Sequence, residues 1–263
     1  MDGSTKGEVK MLEEELRDGR KRKKEEKSER RYEMRKISFS EISSYHWCPT
    51  RWQLKYKFGV KEPTNDYLIL GQMLHEAIVE IPKEGGKVLK AYYDDIDTWY
   101  NKVDIHTLNK DNFADLFSSL FQIVFDDLTK NYNLDKAVLE GEFERDFDST
   151  HSLMGRIDYL TDNELVDYKF KKNFNNLKPL QLQMYRFIVN TEAPLYFQVY
   201  TWSGEKRKIQ VPSMLDEMKD TVKMFILETE SGEIGIPNRR VCNYCSMKDI
   251  CPHTIVEEDV EWE

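Results

Sequence analysis

Two short apolar strands joined by a turn constrain this chain more than any other feature. Leu153 to Leu160 reads as one strand, Thr161-Asp162-Asn163-Glu164 as a turn, and Leu165 to Phe170 as the next strand. Side chains alternate faces along a strand, so Asp167 and Lys169 project together while Val166, Tyr168 and Phe170 project oppositely. Hairpin pairing sets Asp158 beside Asp167. Two carboxylates so close repel each other unless a divalent cation lies between them. Lys169, two residues on, is then placed to orient or deprotonate an attacking water, or to stabilise charge on a phosphate. The competing reading is a charged, solvent-exposed hairpin face, because Asp-x-Lys on a strand recurs by chance.

The rest of the pattern is helices, three strands, a helix, a strand pair and a helix, which suits an α/β domain on a mixed sheet. Residues 1–36 form a charged arm, helical or disordered, whose run Arg20 to Lys24 could touch phosphates. Order is expected from about Ser38, where Ser38 and Glu41 have capping-box spacing. Cys48-Pro49 should interrupt that first helix. A helix is predicted from Tyr67 to Ile81. The segment 88–132 is largely helical, with Phe113, Leu116, Phe117, Leu120, Val124 and Leu128 as a core stripe. Leu139, Gly141, Phe143, Arg145 and Phe147 then alternate with acidic residues, as a strand does. Pro179 opens a helix to about Asn190, two strands cover Leu195–Trp202 and Lys206–Val211, and Ser213 starts the last helix. Residues 254–263 are an acidic tail.

Two further pairs gather around the hairpin. Gly71 and His75, at i and i+4, share a helix face, where a glycine allows close approach of another backbone and a histidine can ligate a metal. Gln181 and Tyr185, also at i and i+4, lie on the helix that follows the Asp-x-Lys strand, where an amide and a phenol can hold phosphate or base groups. Packing would explain both pairs as well.

Four cysteines, Cys48, Cys242, Cys245 and Cys251, occur with one Cys-x-x-Cys knuckle. No apolar signal segment is evident at the start, so a reducing, cytoplasmic (intracellular) setting is expected. There, four thiols read as metal ligands rather than as two disulfides. Zinc and a [4Fe–4S] cube both accept four thiolates, although structural zinc more often pairs two short knuckles.

These motifs, in this order and spacing, resemble the RecB-like PD-(D/E)XK nucleases. One cysteine before the core and three after it resembles the iron–sulfur branch of that group, including the CRISPR-associated exonuclease family. The resemblance covers roughly residues 37–253. It implies a restriction-endonuclease-like α/β core with a mixed central sheet flanked by helices, a helical N-terminal part and an iron–sulfur-bound C-terminal segment. His75, Asp158, Asp167 and the Tyr168 carbonyl would bind Mg²⁺ or Mn²⁺, with Lys169 the catalytic lysine. Cys48, Cys242, Cys245 and Cys251 would hold a [4Fe–4S] cluster tying the two ends of the domain. Gln181, Tyr185, Arg51, Lys171 and Lys172 would contact DNA, and Tyr185 or Trp52 would supply stacking. The implied activity is metal-dependent hydrolysis of DNA, by preference single-stranded and from an end, in CRISPR spacer acquisition with the integrase complex as partner. A viral, plasmid or repair nuclease of the same fold, and a non-catalytic iron–sulfur DNA-binding adaptor, are the rival readings.

A net charge of −9 in 263 residues does not favour nucleic acid, so a local basic track is needed. Lys169, Lys171 and Lys172 offer one cluster, and Lys206, Arg207 and Lys208 another, with solvated strand faces as the alternative. No apolar run approaches the ~18–20 residues that span a bilayer.

Overall fold

The computed structural model describes residues 34–232 and 236–253. The arm up to residue 33 and the acidic tail from 254 lie outside them, and with them the Arg20 to Lys24 run. A six-stranded sheet forms the centre: β1 Arg35–Ser38, β2 Val138–Asp146, β3 His151–Leu160, β4 Leu165–Lys171, β5 Leu195–Thr201 and β6 Lys206–Val211. It is mixed, as the sequence predicts: β1–β3 and β4–β5 are parallel, while β2–β3, β3–β4 and β5–β6 are antiparallel.

Order begins earlier than Ser38. Arg35 and Lys36, placed by sequence in the arm, are residues of β1 and pair with His151 and Ser152. A four-residue strand with one fully buried side chain, Ile37, leaves too short a pattern to read.

Helices cover both faces of the sheet. On one side lie α1 Phe39–Trp47, α2 Pro49–Trp52, α7 Pro179–Val189 and α8 Leu215–Glu230. On the other lie α3 Asp66–Glu84, α4 Lys87–Asp94, α5 Ile96–Tyr100 and α6 Lys110–Asn131. Each face has its own core. Ile42, Leu153, Ile157, Leu182, Phe197, Val199 and Phe225 fill the first. Phe113, Phe117, Phe121, Val166, Tyr168 and Tyr200 fill the second, the α6 stripe supplying much of it. Each such side chain contributes about 1.5–3 kcal/mol by leaving water. Ser38 caps α1 by accepting the Glu41 N–H at 3.2 Å, but the reciprocal half of a capping box is absent. The Glu41 carboxylate instead accepts from Arg35 at 2.8 Å and from the buried Trp52 indole at 3.2 Å.

One edge of β3 is shared. β2 runs along one side of it from Ser152 to Leu160. On the other side β1 pairs with residues 151–154 and β4 with Tyr159 and Leu160. Residues 155–158 therefore have no ladder partner on that edge, and the sheet opens there.

Candidate active site

The opening in the sheet gathers the hairpin carboxylates. Continuing the register Tyr159↔Val166 by one step sets Asp158 opposite Asp167, and both carboxylates are buried. Instead of a ladder bond, Asp158 Oδ2 accepts the Tyr168 N–H at 2.6 Å, which holds the two strands apart. Lys169 Nζ lies 2.5 Å from Asp167 Oδ2. Among the described residues that oxygen nevertheless accepts no hydrogen bond of good geometry. Gln181 donates to Asp167 Oδ1 at 3.1 Å and to the Tyr185 hydroxyl at 2.8 Å.

From the opposite face α3 supplies His75, whose Nδ1 is 2.7 Å from Glu140 Oε1 and 3.7 Å from Asp158 Oδ1. Ligand atoms of His75, Glu140 and Asp158 lie within 4.8 Å of one another. Glu140 was not singled out by its sequence, because it alternates with Glu142, Glu144 and Asp146 as if on a solvated face. Its backbone is left-handed, φ 48°. There the alternation of both strands breaks: Leu139 and Tyr159 pack on one face, Phe143 and Ile157 on the other. The Glu140 side chain is thereby only 4% exposed, and Arg156 pairs with its second oxygen at 2.7 Å. A left-handed glutamate costs on the order of 1–3 kcal/mol and persists only where its surroundings over-determine it.

Electrostatics follow from this crowding. Burial, with Asp167 and Glu140 adding like charge against His75, pushes the Asp158 carboxyl up to about 7. Burial opposes charge on His75, but Asp158 and Glu140 outweigh it and raise its pKa. Lys169 is likewise raised, since Asp167 and Asp158 overcome its desolvation. Buried carboxylates that repel one another, an imidazole and an oxygen without a hydrogen bond make a donor set suited to a hard divalent cation. The residues present fit Mg²⁺ or Mn²⁺.

Beside this cluster opens a cleft of about 680 Å³, lined by Arg51, Lys55, Arg156, Lys169, Lys171 and Lys178 with Glu142 the one acidic side chain among its lining residues. Burial, then Lys169 and a further cation, lowers the pKa of both Lys171 and Lys178, as expected where cations crowd. Arg51 lies in this wall, but Glu62 holds its Nε at 3.1 Å and Ser44 its Nη1 at 3.2 Å. Lys171 spends its donors on the Asn175 and Asn176 carbonyls at 2.6 and 3.0 Å. Lys172 is exposed just beyond β4 and does not line the cleft. The second basic cluster is elsewhere and paired: Lys206 with Asp127 at 2.5 Å, Lys208 with Glu164 at 2.6 Å, and Arg207 over the Phe174 ring. Lys178, Lys55 and Arg156 were not singled out by the sequence pattern, because they stand alone rather than in a run.

Two glycines exchange roles. A Cβ on Gly71 would meet nothing within 4 Å, so close approach does not explain it. A Cβ on Gly155 would lie 2.6 Å from the Tyr185 ring, so Gly155 is what lets α7 settle on β3. Trp52 is 3% exposed and cannot stack on a base, and Tyr185, at 7%, offers little ring surface.

The four cysteines line one small cavity, with Arg51, Leu54, Pro237, Val241, Met247 and His253 as neighbours. All four are free thiols. Burial raises the Cys245 thiol against the pull of the Met247 backbone N–H and of Arg51, with Cys48 and Cys251 adding to the rise. Successive 3₁₀ turns at Arg239–Tyr244 and Lys248–Ile250 bring Cys242, Cys245 and Cys251 round to Cys48, at the break between α1 and α2. Four thiols converging on one small cavity, with the Arg51 cation beside them, fit a thiolate-bound metal centre. The C-terminal segment is also tied by Asn238 to the Trp47 carbonyl at 3.0 Å and by Ser246 to Glu62 at 2.6 Å.

With fold and site in view, the chain compares with known proteins as follows. Residues 36–252 match the profile of the PD-(D/E)XK nuclease superfamily, and the chain belongs to it. The crystal structure of a "putative exonuclease" from Eubacterium rectale superposes with a TM-score of 0.59 at 17% identity, over 86% of this chain and 91% of that one. That likeness shows the shared fold. The crystal structure of SSO0001 aligns at a TM-score of 0.38 and 16% identity, over 79% of this chain and 95% of that one, and carries no argument. A search of the curated proteins finds no match. Among the described residues no helix is long and apolar enough to cross a membrane.

Proposed function

We propose that this protein hydrolyses DNA phosphodiester bonds with a divalent cation held by His75, Asp158, Asp167 and the Tyr168 carbonyl, together with Glu140. The observation that carries the reading is the opening of the sheet at Asp158, which unites three carboxylates, an imidazole and Lys169 beside a cationic cleft. When bound, Mg²⁺ or Mn²⁺ supplies Lewis-acid charge to the scissile phosphate and lowers the pKa of the attacking water. Lys169, kept protonated by its carboxylate neighbours, places positive charge where the transition state is most anionic. Gln181 fixes one oxygen of Asp167 and the Tyr185 hydroxyl, so the carboxylate cannot rotate freely. Lys55, Arg156, Lys171 and Lys178 line the path of the phosphates, Arg51 supporting that wall from behind.

The finer reading is an exonuclease on single-stranded DNA, acting from an end and serving spacer acquisition beside a CRISPR integrase. Cys48, Cys242, Cys245 and Cys251 hold a [4Fe–4S] cluster that joins residues 37–253 into one domain. The Eubacterium rectale neighbour's description supports the exonuclease reading and the four-thiol cavity supports the cluster, while the single-strand preference and the spacer-acquisition role rest on the family resemblance. Cleavage of end-labelled single-stranded and duplex DNA with Mn²⁺, Mg²⁺ or chelator tests them. Metal-dependent shortening of the single strand from one end is expected. Cutting confined to internal duplex sites would refute the exonuclease reading.

A further inference from the structure

The residues proposed above for stacking are buried, yet a partly exposed aromatic pair lies at the helix that carries His75. Tyr67 and Trp202 meet with ring centroids 5.2 Å apart and planes inclined by 40°. Tyr67 is 39% exposed, and Trp202 is half-buried behind it against the core. Their positions are not incidental to the site. Tyr67, Gly71 and His75 follow at i, i+4 and i+8 on α3, so they share one flank of it, running from the exposed Tyr67 to His75 at the sheet opening. From His75 to Tyr67 the helix rises about 12 Å. At Gly71, midway, a Cβ would meet no atom within 4 Å, so this stretch of helix face is open.

A second rail runs parallel on the strands. Phe170 meets the edge of the His75 ring at 5.3 Å and stacks on Tyr200 at 5.6 Å. One residue on, the Lys171 carbonyl accepts the Trp202 N–H at 3.0 Å. Lys171 itself faces the cationic cleft. The aromatic pair thus closes the C-terminal end of the parallel β4–β5 pair, the end at which open α/β sheets take their ligands.

We infer that Tyr67 and Trp202 form a platform on which an unpaired base of the substrate strand stacks, a few nucleotides from the phosphate being cut. The inference rests on the nuclease reading and adds a base-binding site to it. A strand whose phosphate lies at His75, Asp158 and Asp167 passes along the open face at Gly71. At ~3.4 Å per stacked nucleotide the platform stands three or four nucleotides away. Stacking of this kind is tolerant of sequence, since every base has a π face. A base inside a duplex has both faces already covered, so the platform selects unpaired ends.

The test is an abasic walk on the full chain. Single abasic sites are placed at successive positions of a single-stranded 12-mer, and KM and kcat for cleavage with Mn²⁺ are measured. Wild type, Tyr67→Ala, Tyr67→Phe and Trp202→Phe are compared after circular dichroism shows each to be folded. In wild type and Tyr67→Phe, an abasic site three or four nucleotides from the cut should raise KM about tenfold with little change in kcat. In Tyr67→Ala, KM is already raised on intact DNA and that abasic site adds nothing. Equal sensitivity at every position in wild type, or an undiminished abasic effect in Tyr67→Ala, overturns the platform and leaves the nuclease standing. A wild-type protein that cuts none of the oligonucleotides overturns both.

Discussion

Asp158 accepts the backbone N–H of Tyr168 through Oδ2 at 2.6 Å, one register step beyond the last β3–β4 ladder pair. That hydrogen bond fixes the carboxylate where the sheet opens, and anchors the backbone of Tyr168, the residue whose carbonyl is proposed to face the cation. It does so at a cost in stability, because Asp158 is then buried next to Asp167 and Glu140.

The first prediction follows from that cost. The folded pKa of Asp158, pushed up to about 7 chiefly by burial, lies above its unfolded value. The folded state therefore holds this proton more tightly. Its stabilising effect is complete below about pH 4 and is lost as pH rises through 7. Asp158→Asn, which keeps an acceptor for Tyr168, should stabilise the cation-free protein at pH 8 by about 1–2 kcal/mol, or roughly 4 °C in Tm. At pH 4 the two proteins should melt together. Thermal melts in chelator at both pH values measure this, and an Asn variant no more stable at pH 8 would contradict the stated electrostatics.

Glu62 makes the opposite case. Burial opposes its ionisation, but hydrogen bonds from Arg51, Ser246 and Lys55 hold its carboxyl down to about 2. A depressed carboxylate gives stability that is present above the unfolded pKa near 4.5 and is lost as pH falls towards 2. After solvent screening this amounts to about 1–2 kcal/mol. Glu62→Gln should flatten the acid limb of the stability curve between pH 5 and 3. It should also speed amide exchange over residues 238–253, which Ser246 ties to Glu62.

Two glycine-to-alanine exchanges should differ in sign. Gly155→Ala drives a methyl into the Tyr185 ring, 2.6 Å away, and should cost about 1–3 kcal/mol. By shifting Tyr185 and Gln181 it should also slow cleavage at least tenfold. Gly71→Ala meets nothing and removes backbone freedom from a helix interior, so it should stabilise by about 0.5–1 kcal/mol. Denaturant melts of both variants settle the contrast.

The cysteine assignment predicts a colour and a fold together. Protein purified without oxygen should be brown, with absorbance near ~400 nm. Cys48→Ser or Cys251→Ser should lose that colour and lower Tm by ten degrees or more, because the centre ties α2 to the chain's far end. A colourless wild type with one zinc per chain would replace the cluster by a zinc site.

The hairpin of Asp158, Asp167 and Lys169 was legible because strand alternation and a four-residue turn are local signals, and the helices because apolar residues recur every three or four positions. What escaped the sequence was set by tertiary context. Glu140 looked like one of four solvated acids until a single left-handed residue rotated it inward. β1 is too short to show a period. Lys178 and Lys55 reach the cleft from separate elements and form no run. The Lys206–Lys208 run was conspicuous in sequence, yet its two lysines are paired with Asp127 and Glu164 and its arginine lies over Phe174. Trp52 shows that an aromatic beside a motif says nothing of exposure: it lies in the core, with its indole bound to Glu41.

The most direct measurement is the rate of DNA cleavage with Mn²⁺ by wild type, Asp167→Asn, Glu140→Gln and Lys169→Ala, each first shown to be folded. The account predicts cutting by wild type that chelator abolishes, and a loss of 10²-fold or more in each variant. Wild-type protein that is folded, binds Mn²⁺ and leaves DNA intact would contradict it, as would unchanged cutting by Asp167→Asn or Lys169→Ala.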